Sequence, residues 1–115
     1  MKESKIWGDT TSVWSNGNAE VHRISVKHGG FCSKHKHEHK YNLFYVESGK
    51  LLIEIWRNER IVDKTTLHSG ESTIVPPCVF HKFTALENSI AIEVYWVALD
   101  KKDIIRESSG GISEN

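Results

Sequence analysis

Several features that mark exported, membrane-bound or nucleic-acid-binding proteins are scarce in this sequence of 115 residues. It has 2 cysteines, 2 prolines and 1 methionine, and its 15 basic residues balance its 15 acidic ones. Zero formal charge argues against nucleic acid as a partner, because phosphate binding depends on a basic field. No apolar run approaches the ~20 residues that cross a bilayer, so we expect no membrane contact. The N-terminus lacks a signal-peptide pattern, and two cysteines then predict free thiols in a cytoplasmic protein.

Good helix formers are also scarce. The sequence has 4 alanines and 6 leucines against 26 β-branched residues, a ratio that favours strands over helices. Turn signals such as Asn16-Gly17, Gly29-Gly30 and Ser69-Gly70 separate short apolar runs, which is typical of an all-β sandwich or barrel. The predicted strands are Ser12–Ser15, Glu20–Lys27, Lys40–Val46, Leu51–Arg57, Arg60–Leu67, Ser72–Val75, Phe80–Ala85 and Ile90–Ala98.

The length suits one domain. We predict a single barrel over residues 1–106, which ends in a helical turn at Asp100–Arg106, and then a polar tail, Glu107–Asn115, that need not be ordered. The predicted strands Leu51–Arg57 and Ile90–Ala98 are apolar on both faces, and such strands are covered on both sides. In a small barrel one face fills the interior, so the other face predicts contact with a second copy, in a homodimer.

Four of the seven histidines point to a metal site. His35, His37 and His39 alternate with charged residues in the stretch Ser33–Lys40, and in an extended stretch residues two apart point to the same side. His81 follows on another predicted strand. Two imidazoles from one segment and one from a distant strand would give three ligands and leave open positions on the metal, as in catalytic sites. The alternatives are a solvated strand face and a packed histidine.

The residues around these histidines resemble the two cupin motifs. Gly29–Gly49 follows the order Gly, five residues, His, one residue, His, four residues, Asn, six residues, Gly. Gly70–Ala85 follows the order Gly, five residues, Pro, Pro, Cys, two residues, His. Cupins normally have Glu at the place of Asn42, Gly at that of Cys78 and often Asn at that of Ala85. The two motifs together cover about half of the chain.

The resemblance implies a double-stranded β-helix, the jelly-roll barrel of cupins. It further implies that His35, His37 and His81 hold one divalent transition metal, which could be iron, zinc, manganese or nickel. Asn42 stands in the place of the usual carboxylate ligand and would contribute a neutral oxygen. His39 is a further candidate, as an alternative ligand, a base beside the metal or a solvent-facing residue at the rim of the barrel.

Alternation along the strands gives candidates for the lining of a cavity. Counting from Asn42 places Phe44 and Val46 on the inner face, and Phe83 shares a face with His81. The alternative for each of them is that it belongs to the barrel core.

Two other pairs of residues invite attention. Cys32 and Cys78 each precede a candidate ligand by three residues, and we expect both to pack as small apolar groups. Because Cys78 replaces a turn glycine, it predicts a turn of another shape. Glu54 and Glu93 lie in apolar strands, where each could be a base inside the barrel or could pair with a cation outside it.

Two functions remain open. The three histidines favour an enzyme that acts on a small metabolite through the metal, with isomerase-like or dioxygenase-like chemistry. A histidine face without a carboxylate resembles that of cupin thiol dioxygenases. The replaced Glu favours the alternative, a non-catalytic module that binds a small, sugar-like ligand with a degenerate metal motif.

Overall fold

The computed structural model describes residues 1–97, 105–107, 110 and 112–113, and within them the only regular elements are strands. All eight predicted strands are present. The second strand begins at Gly8 rather than at Ser12, and the first strand was not predicted. The strands are β1 (Lys2–Lys5), β2 (Gly8–Ser15), β3 (Ala19–Val26), β4 (Tyr41–Ser48), β5 (Lys50–Trp56), β6 (Val62–His68), β7 (Ser72–Val75), β8 (Phe80–Ala85) and β9 (Ser89–Trp96).

The strands form two antiparallel sheets. Six strands pair in the order β1-β2-β3-β9-β4-β7, and three pair in the order β6-β5-β8. Neighbouring strands such as β3 and β9, or β4 and β9, are far apart in sequence, as in a jelly roll. The predicted all-β, jelly-roll class is therefore confirmed.

The core lies between the two sheets and follows the alternation along the strands. Ile24 of β3 and Phe44 of β4 come from the larger sheet, and Ile53 of β5 and Phe83 of β8 come from the smaller one. Each of these side chains is almost fully buried. Their burial is the main source of stability, because apolar area removed from water stabilises the fold in proportion to its size.

The C-terminal predictions fall mainly on residues that the structure does not describe. The predicted helical turn, Asp100–Arg106, is not seen: Ile105 and Arg106 are not helical, and residues 98–104 lie outside the described part. In the predicted tail, residues 108, 109, 111, 114 and 115 also lie outside the described part. No helix among the described residues is long and apolar enough to cross a membrane.

Candidate metal centre

The segment between β3 and β4 carries His35 and His37 and lies against the start of β8. The N–H of His35 donates to the carbonyl of His81 at 3.1 Å, and the N–H of His81 donates back to the carbonyl of His35 at 2.8 Å. Further along the segment, the carbonyl of His37 accepts the N–H of Cys78 at 2.7 Å. These backbone bonds hold the first two histidines beside the third.

The imidazoles of His35, His37 and His81 form one cluster. Their ring centroids lie 4.4 Å apart for His35 and His81, 5.1 Å for His35 and His37, and 5.5 Å for His37 and His81. One nitrogen from each ring lies within 4.8 Å of the other two. The structure therefore brings together the three residues that the motifs select as metal ligands.

In two of these rings a hydrogen bond to a backbone carbonyl determines which nitrogen carries the proton. Nδ1 of His35 lies 2.7 Å from the carbonyl oxygen of Ser33, and Nδ1 of His81 lies 3.1 Å from that of Val79. A carbonyl only accepts, so in both rings Nδ1–H donates and Nε2 keeps its lone pair. Metal-binding histidines are commonly oriented in this way by a backbone carbonyl.

The interior keeps two of the imidazoles neutral. Burial, with smaller contributions from the neighbouring His35 and His37, lowers the pKa of His81 to about 4. Burial and His35 also lower the pKa of His37. Nε2 of His37 and Nε2 of His81 are buried without a hydrogen-bond partner among the described residues. Neutral rings whose buried Nε2 atoms have no hydrogen-bond partner fit a bound cation, which would satisfy both nitrogens.

Asn42 donates a hydrogen bond to the carboxyl group of Glu93, a residue whose orientation the sequence could not decide. Its Nδ2 donates to Oε2 of Glu93 at 3.4 Å and to the carbonyl of Leu43 at 3.4 Å. The hydroxyl of Tyr95 donates to the same Oε2 at 2.6 Å. Burial raises the pKa of the Glu93 carboxyl; burial and Glu93 together raise the pKa of Tyr95. Glu93 is therefore a buried, hydrogen-bonded group inside the barrel.

Glu54 lies on the opposite side of its strand from the core residues Ile53 and Ile55. It is partly exposed, and in the sheet it stands between Lys64 of β6 and Lys82 of β8. The two acidic residues that the sequence could not orient thus face different ways. Glu93 is inside and Glu54 is outside.

A cavity of about 420 Å³ opens beside the histidines. His35, His37 and Glu93 contribute polar groups to its lining, and Phe44 and Phe83 form part of its apolar wall. The cavity combines a few convergent polar groups with aromatic side chains, as small-molecule sites usually do.

A sequence model of the cupin domain matches residues 22–98, which is most of the chain. This chain is a cupin. The family resemblance carried by the two histidine motifs is thereby confirmed.

Solved structures of other cupins share the fold at low sequence identity. KdgF from Halomonas sp. has a TM-score of 0.74 at 19% identity, over 86% of this chain and 89% of that chain. An RmlC-like cupin from Shewanella frigidimarina has a TM-score of 0.68 at 22% identity, over 89% and 86%. A variant of oxalate decarboxylase from Bacillus subtilis has a TM-score of 0.75 at 16% identity, over 84% of this chain and 27% of that chain. At such identities the likeness establishes the fold alone. Curated proteins gave no match.

One predicted lining residue of this cupin lies elsewhere. Val46 is fully buried in the core and does not contribute to the cavity wall. It is four residues beyond Asn42 on β4, a distance of roughly 14 Å along a strand. The alternation correctly gives its inward direction but not its depth in the barrel.

His39 does not join the cluster. The chain bends at Glu38 and His39, so the period-two alternation of the histidines stops at His37. The side chain of His39 is 86% exposed and lies 3.8 Å from the Glu38 carboxylate. In this cupin His39 is the solvent-facing residue of the three alternatives.

The cysteines also lie outside the cluster. The Cys32 sulfur accepts the N–H of Phe83 at 3.2 Å, and burial raises the pKa of this thiol to about 11. Cys78 is exposed, so the expectation that it packs as a small apolar group is wrong, whereas Cys32 is buried as expected. The φ of Cys78 is 65°. The expectation of a differently shaped turn is wrong, because Cys78 keeps the left-handed backbone that favours glycine.

Several residues that line the cavity were missed in the sequence. Trp7 packs edge-on against Phe83, with ring centroids 5.1 Å apart. Glu20 and His22 lie on the cavity side of β3, with Oε2 of Glu20 3.1 Å from Nε2 of His22. Their spacing of two residues, in phase with the core residue Ile24, was a usable signal, whereas nothing in the sequence pointed to Trp7.

Proposed function

We propose that this metal-binding cupin is an enzyme that acts on a small metabolite, held in the cavity beside His35, His37 and His81. The observation that carries the proposal is the buried Nε2 of His37 and of His81, neither of which has a hydrogen-bond partner among the described residues. When bound there, a divalent metal would supply a Lewis acid for isomerase-like chemistry or, if it is iron, a redox centre for dioxygenase-like chemistry.

The protein residues would bind and orient the metabolite. The apolar wall formed by Trp7, Phe44 and Phe83 excludes water from one side of the cavity, and this strengthens the electrostatic interactions inside it. Lys40 lines the same cavity, with Nζ 5.3 Å from the centre of the Tyr95 ring. It provides a cation near the polar wall.

The charge of the ligand set favours an anionic or strongly polar metabolite. Three neutral imidazoles leave the charge of a divalent cation uncompensated, and burial makes such a charge costly unless it is paired. A carboxylate or enolate oxygen on the metabolite would supply that pairing. The cavity of about 420 Å³ is near the lower end of the range for ligand pockets, which favours a small molecule.

The alternative is a cupin that binds a small, sugar-like ligand without catalysis. The neutral Asn42 in place of Glu favours this function. Both functions suit the cytoplasm, because Cys32 and Cys78 are free thiols and thiols remain reduced there.

Elemental analysis of protein purified without an affinity tag tests the metal site. We expect close to one metal per chain in the parent and a loss of most of it in His81→Ala. His39→Ala is the matched control, since it removes an exposed imidazole from the same region and should keep the metal. Iron would direct the search to thiols and oxygen uptake, and zinc, manganese or nickel to isomerisation. No metal in the parent, even after reconstitution, would favour the alternative function.

We also infer that the cupin is a homodimer, joined through the outer face of the six-stranded sheet. Ile74, Leu43, Val94, Val21 and Trp14 lie side by side in one apolar row across five strands. Ile74 and Trp14 are about half exposed.

The size and charge of this face favour a second copy as its occupant. Six strands of up to eight residues give roughly 600 Å² in flat projection, close to the ~800 Å² that each partner contributes to a standard interface. Arg23 and Glu47 form an ion pair of 3.5 Å beside the row. A two-fold copy can place each of these charges opposite its counterpart, as an isologous interface requires.

Sedimentation equilibrium tests this interface. We expect twice the chain mass of 13.1 kDa for the parent and the mass of one chain for Val94→Lys, which places a charge in the middle of the row. Ile61→Lys is the control, since Ile61 is exposed in the turn before β6. A monomeric parent, or dimers that survive Val94→Lys, would contradict the inference.

A further inference from the structure

Three buried side-chain atoms have no hydrogen-bond partner within the described part of the chain: Nε2 of His37, Nε2 of His81 and Oδ1 of Asn42. Two of them belong to the histidine cluster. An amide oxygen has lone pairs and no proton. All three atoms can therefore donate an electron pair, and an unpaired polar atom in the interior costs stability unless something binds it.

Asn42 lies close to the cluster. In the sheet it pairs with Tyr95 of β9. The centroid of the Tyr95 ring is 5.2 Å from that of the His37 ring. Phe44, on the same face of β4, has its ring 6.4 Å from that of His81. The orphaned oxygen of Asn42 thus belongs to the same inner region as the two orphaned nitrogens.

The other end of the Asn42 amide is already held. Oε2 of Glu93 accepts from the Tyr95 hydroxyl at 2.6 Å and from Nδ2 of Asn42 at 3.4 Å. An oxygen that acts as an acceptor attracts Nδ2 and repels Oδ1. The contact with Glu93 therefore selects one of the two orientations of the amide, the one that leaves Oδ1 free.

We propose that Glu93 is a positioning residue for the metal centre, which holds the amide of Asn42 so that Oδ1 faces the three histidines as an oxygen donor. The inference rests on the metal site proposed above. Within the described residues Glu93 is not part of the histidine cluster, so it acts through Asn42 rather than by binding the metal. Groups that orient ligands in this way typically change metal affinity by about 10-fold to 100-fold.

A double-mutant cycle with Co²⁺ tests the role of Glu93. Co²⁺ affinity is measured by titration, with its visible absorption spectrum as the readout, for Glu93→Leu and Asn42→Ala alone and together. We expect Glu93→Leu to weaken binding about tenfold in the parent and to cause no further loss in the Asn42→Ala background. An unchanged affinity in Glu93→Leu overturns the proposal. So does the same loss in both backgrounds, because Glu93 would then act independently of Asn42.

Two further variants guard against misfolding. Glu93→Gln keeps an oxygen acceptor at this position and should retain most of the affinity that Glu93→Leu loses. Tyr95→Phe removes the hydroxyl that holds Oε2 and should weaken binding by less than Glu93→Leu, again only when Asn42 is present. If Glu93→Leu does not fold, the cycle with Tyr95→Phe decides, and equal losses with and without Asn42 overturn the proposal.

Titrations of the parent and of His81→Ala separate the two levels of inference. Binding that depends on His81 but not on Glu93 rejects the positioning role and leaves the metal site intact. A parent that does not bind Co²⁺ overturns both.

Discussion

His35 and His81 exchange a pair of backbone hydrogen bonds, at 3.1 and 2.8 Å, although they lie in distant parts of the sequence. As a consequence of this pairing, the centroids of their rings lie 4.4 Å apart. The proximity of two candidate ligands is therefore built into the backbone and needs no metal to create it. Replacing either side chain should remove a ligand and leave this pairing in place.

Metal binding should depend on pH through the imidazoles. Ligand nitrogens must be deprotonated, and burial lowers the pKa values of His37 and His81 below the ordinary 6.5. We expect the metal content to be high at pH 7 and to be lost as the pH approaches 4. Dialysis of the loaded protein at pH 7, 5.5 and 4, followed by elemental analysis, measures this dependence. Full occupancy at pH 4 would argue against histidine ligands.

The stability of the metal-free protein should fall in acid because of His81. Its pKa is about 4 in the folded state and about 6.5 in the unfolded chain. Between these values the unfolded chain binds more protons, so the free energy of unfolding decreases as the pH falls from 6.5 to 4. The difference between 6.5 and 4, at about 1.4 kcal/mol per pKa unit, corresponds to a His81 contribution of about 3 kcal/mol.

Urea unfolding in the presence of a chelator, at several pH values, isolates this contribution. His81→Gln should show a shallower loss of stability over the same interval than the parent. Parallel curves for the two proteins would mean that His81 is not the group responsible.

Asn42→Glu should tighten divalent-metal binding, because it restores an anionic oxygen. The new carboxylate would also lie beside Glu93, whose Oε2 is now 3.4 Å from Nδ2 of Asn42, and like charges at this distance repel. The double variant Asn42→Glu/Glu93→Gln should therefore bind Zn²⁺ more tightly than Asn42→Glu alone. Calorimetric titration compares them. Weaker or equal binding by the double variant, relative to the parent, would place residue 42 away from the metal.

Cys78→Gly should stabilise the fold by about 1 kcal/mol, because the backbone there has a φ of 65°, a conformation that costs a residue with a Cβ atom roughly this amount. The hydrogen bond from its sulfur to the Glu38 carbonyl is exposed and contributes little. Cys78→Val, with a branched side chain, should destabilise the fold. Denaturant unfolding under reducing conditions measures both variants. A loss of stability in Cys78→Gly would show that the side chain matters more than the strain.

The strands could be predicted because they depend on short-range patterns, namely alternation and turn residues. The three-histidine cluster could be predicted because the two segments that carry it resemble the cupin motifs, although His35 and His81 are far apart in the sequence. The sequence of β1, Lys2–Lys5, offers no such signal, since it has no apolar residue and is exposed throughout. The bend at His39 was equally hidden, because alternation alone does not show where an extended segment ends.

The role of Glu93 was beyond sequence reasoning for a different reason. Its contact with Asn42 joins residues 51 positions apart and depends on the register between β4 and β9. That register places Glu93 beside Phe44 and Tyr95 beside Asn42. Periodicity gives the face of a strand on which a residue lies but not its neighbour on the next strand.

X-ray absorption spectroscopy of the metal-loaded protein tests the central claim most directly, since it counts the imidazoles bound to the metal. We expect three imidazole nitrogens bound to the metal in the parent and in His39→Ala. In His81→Ala we expect either two such nitrogens or no bound metal. A metal environment without histidine scattering, or one unchanged by His81→Ala, would contradict the assignment of His35, His37 and His81 as the metal site.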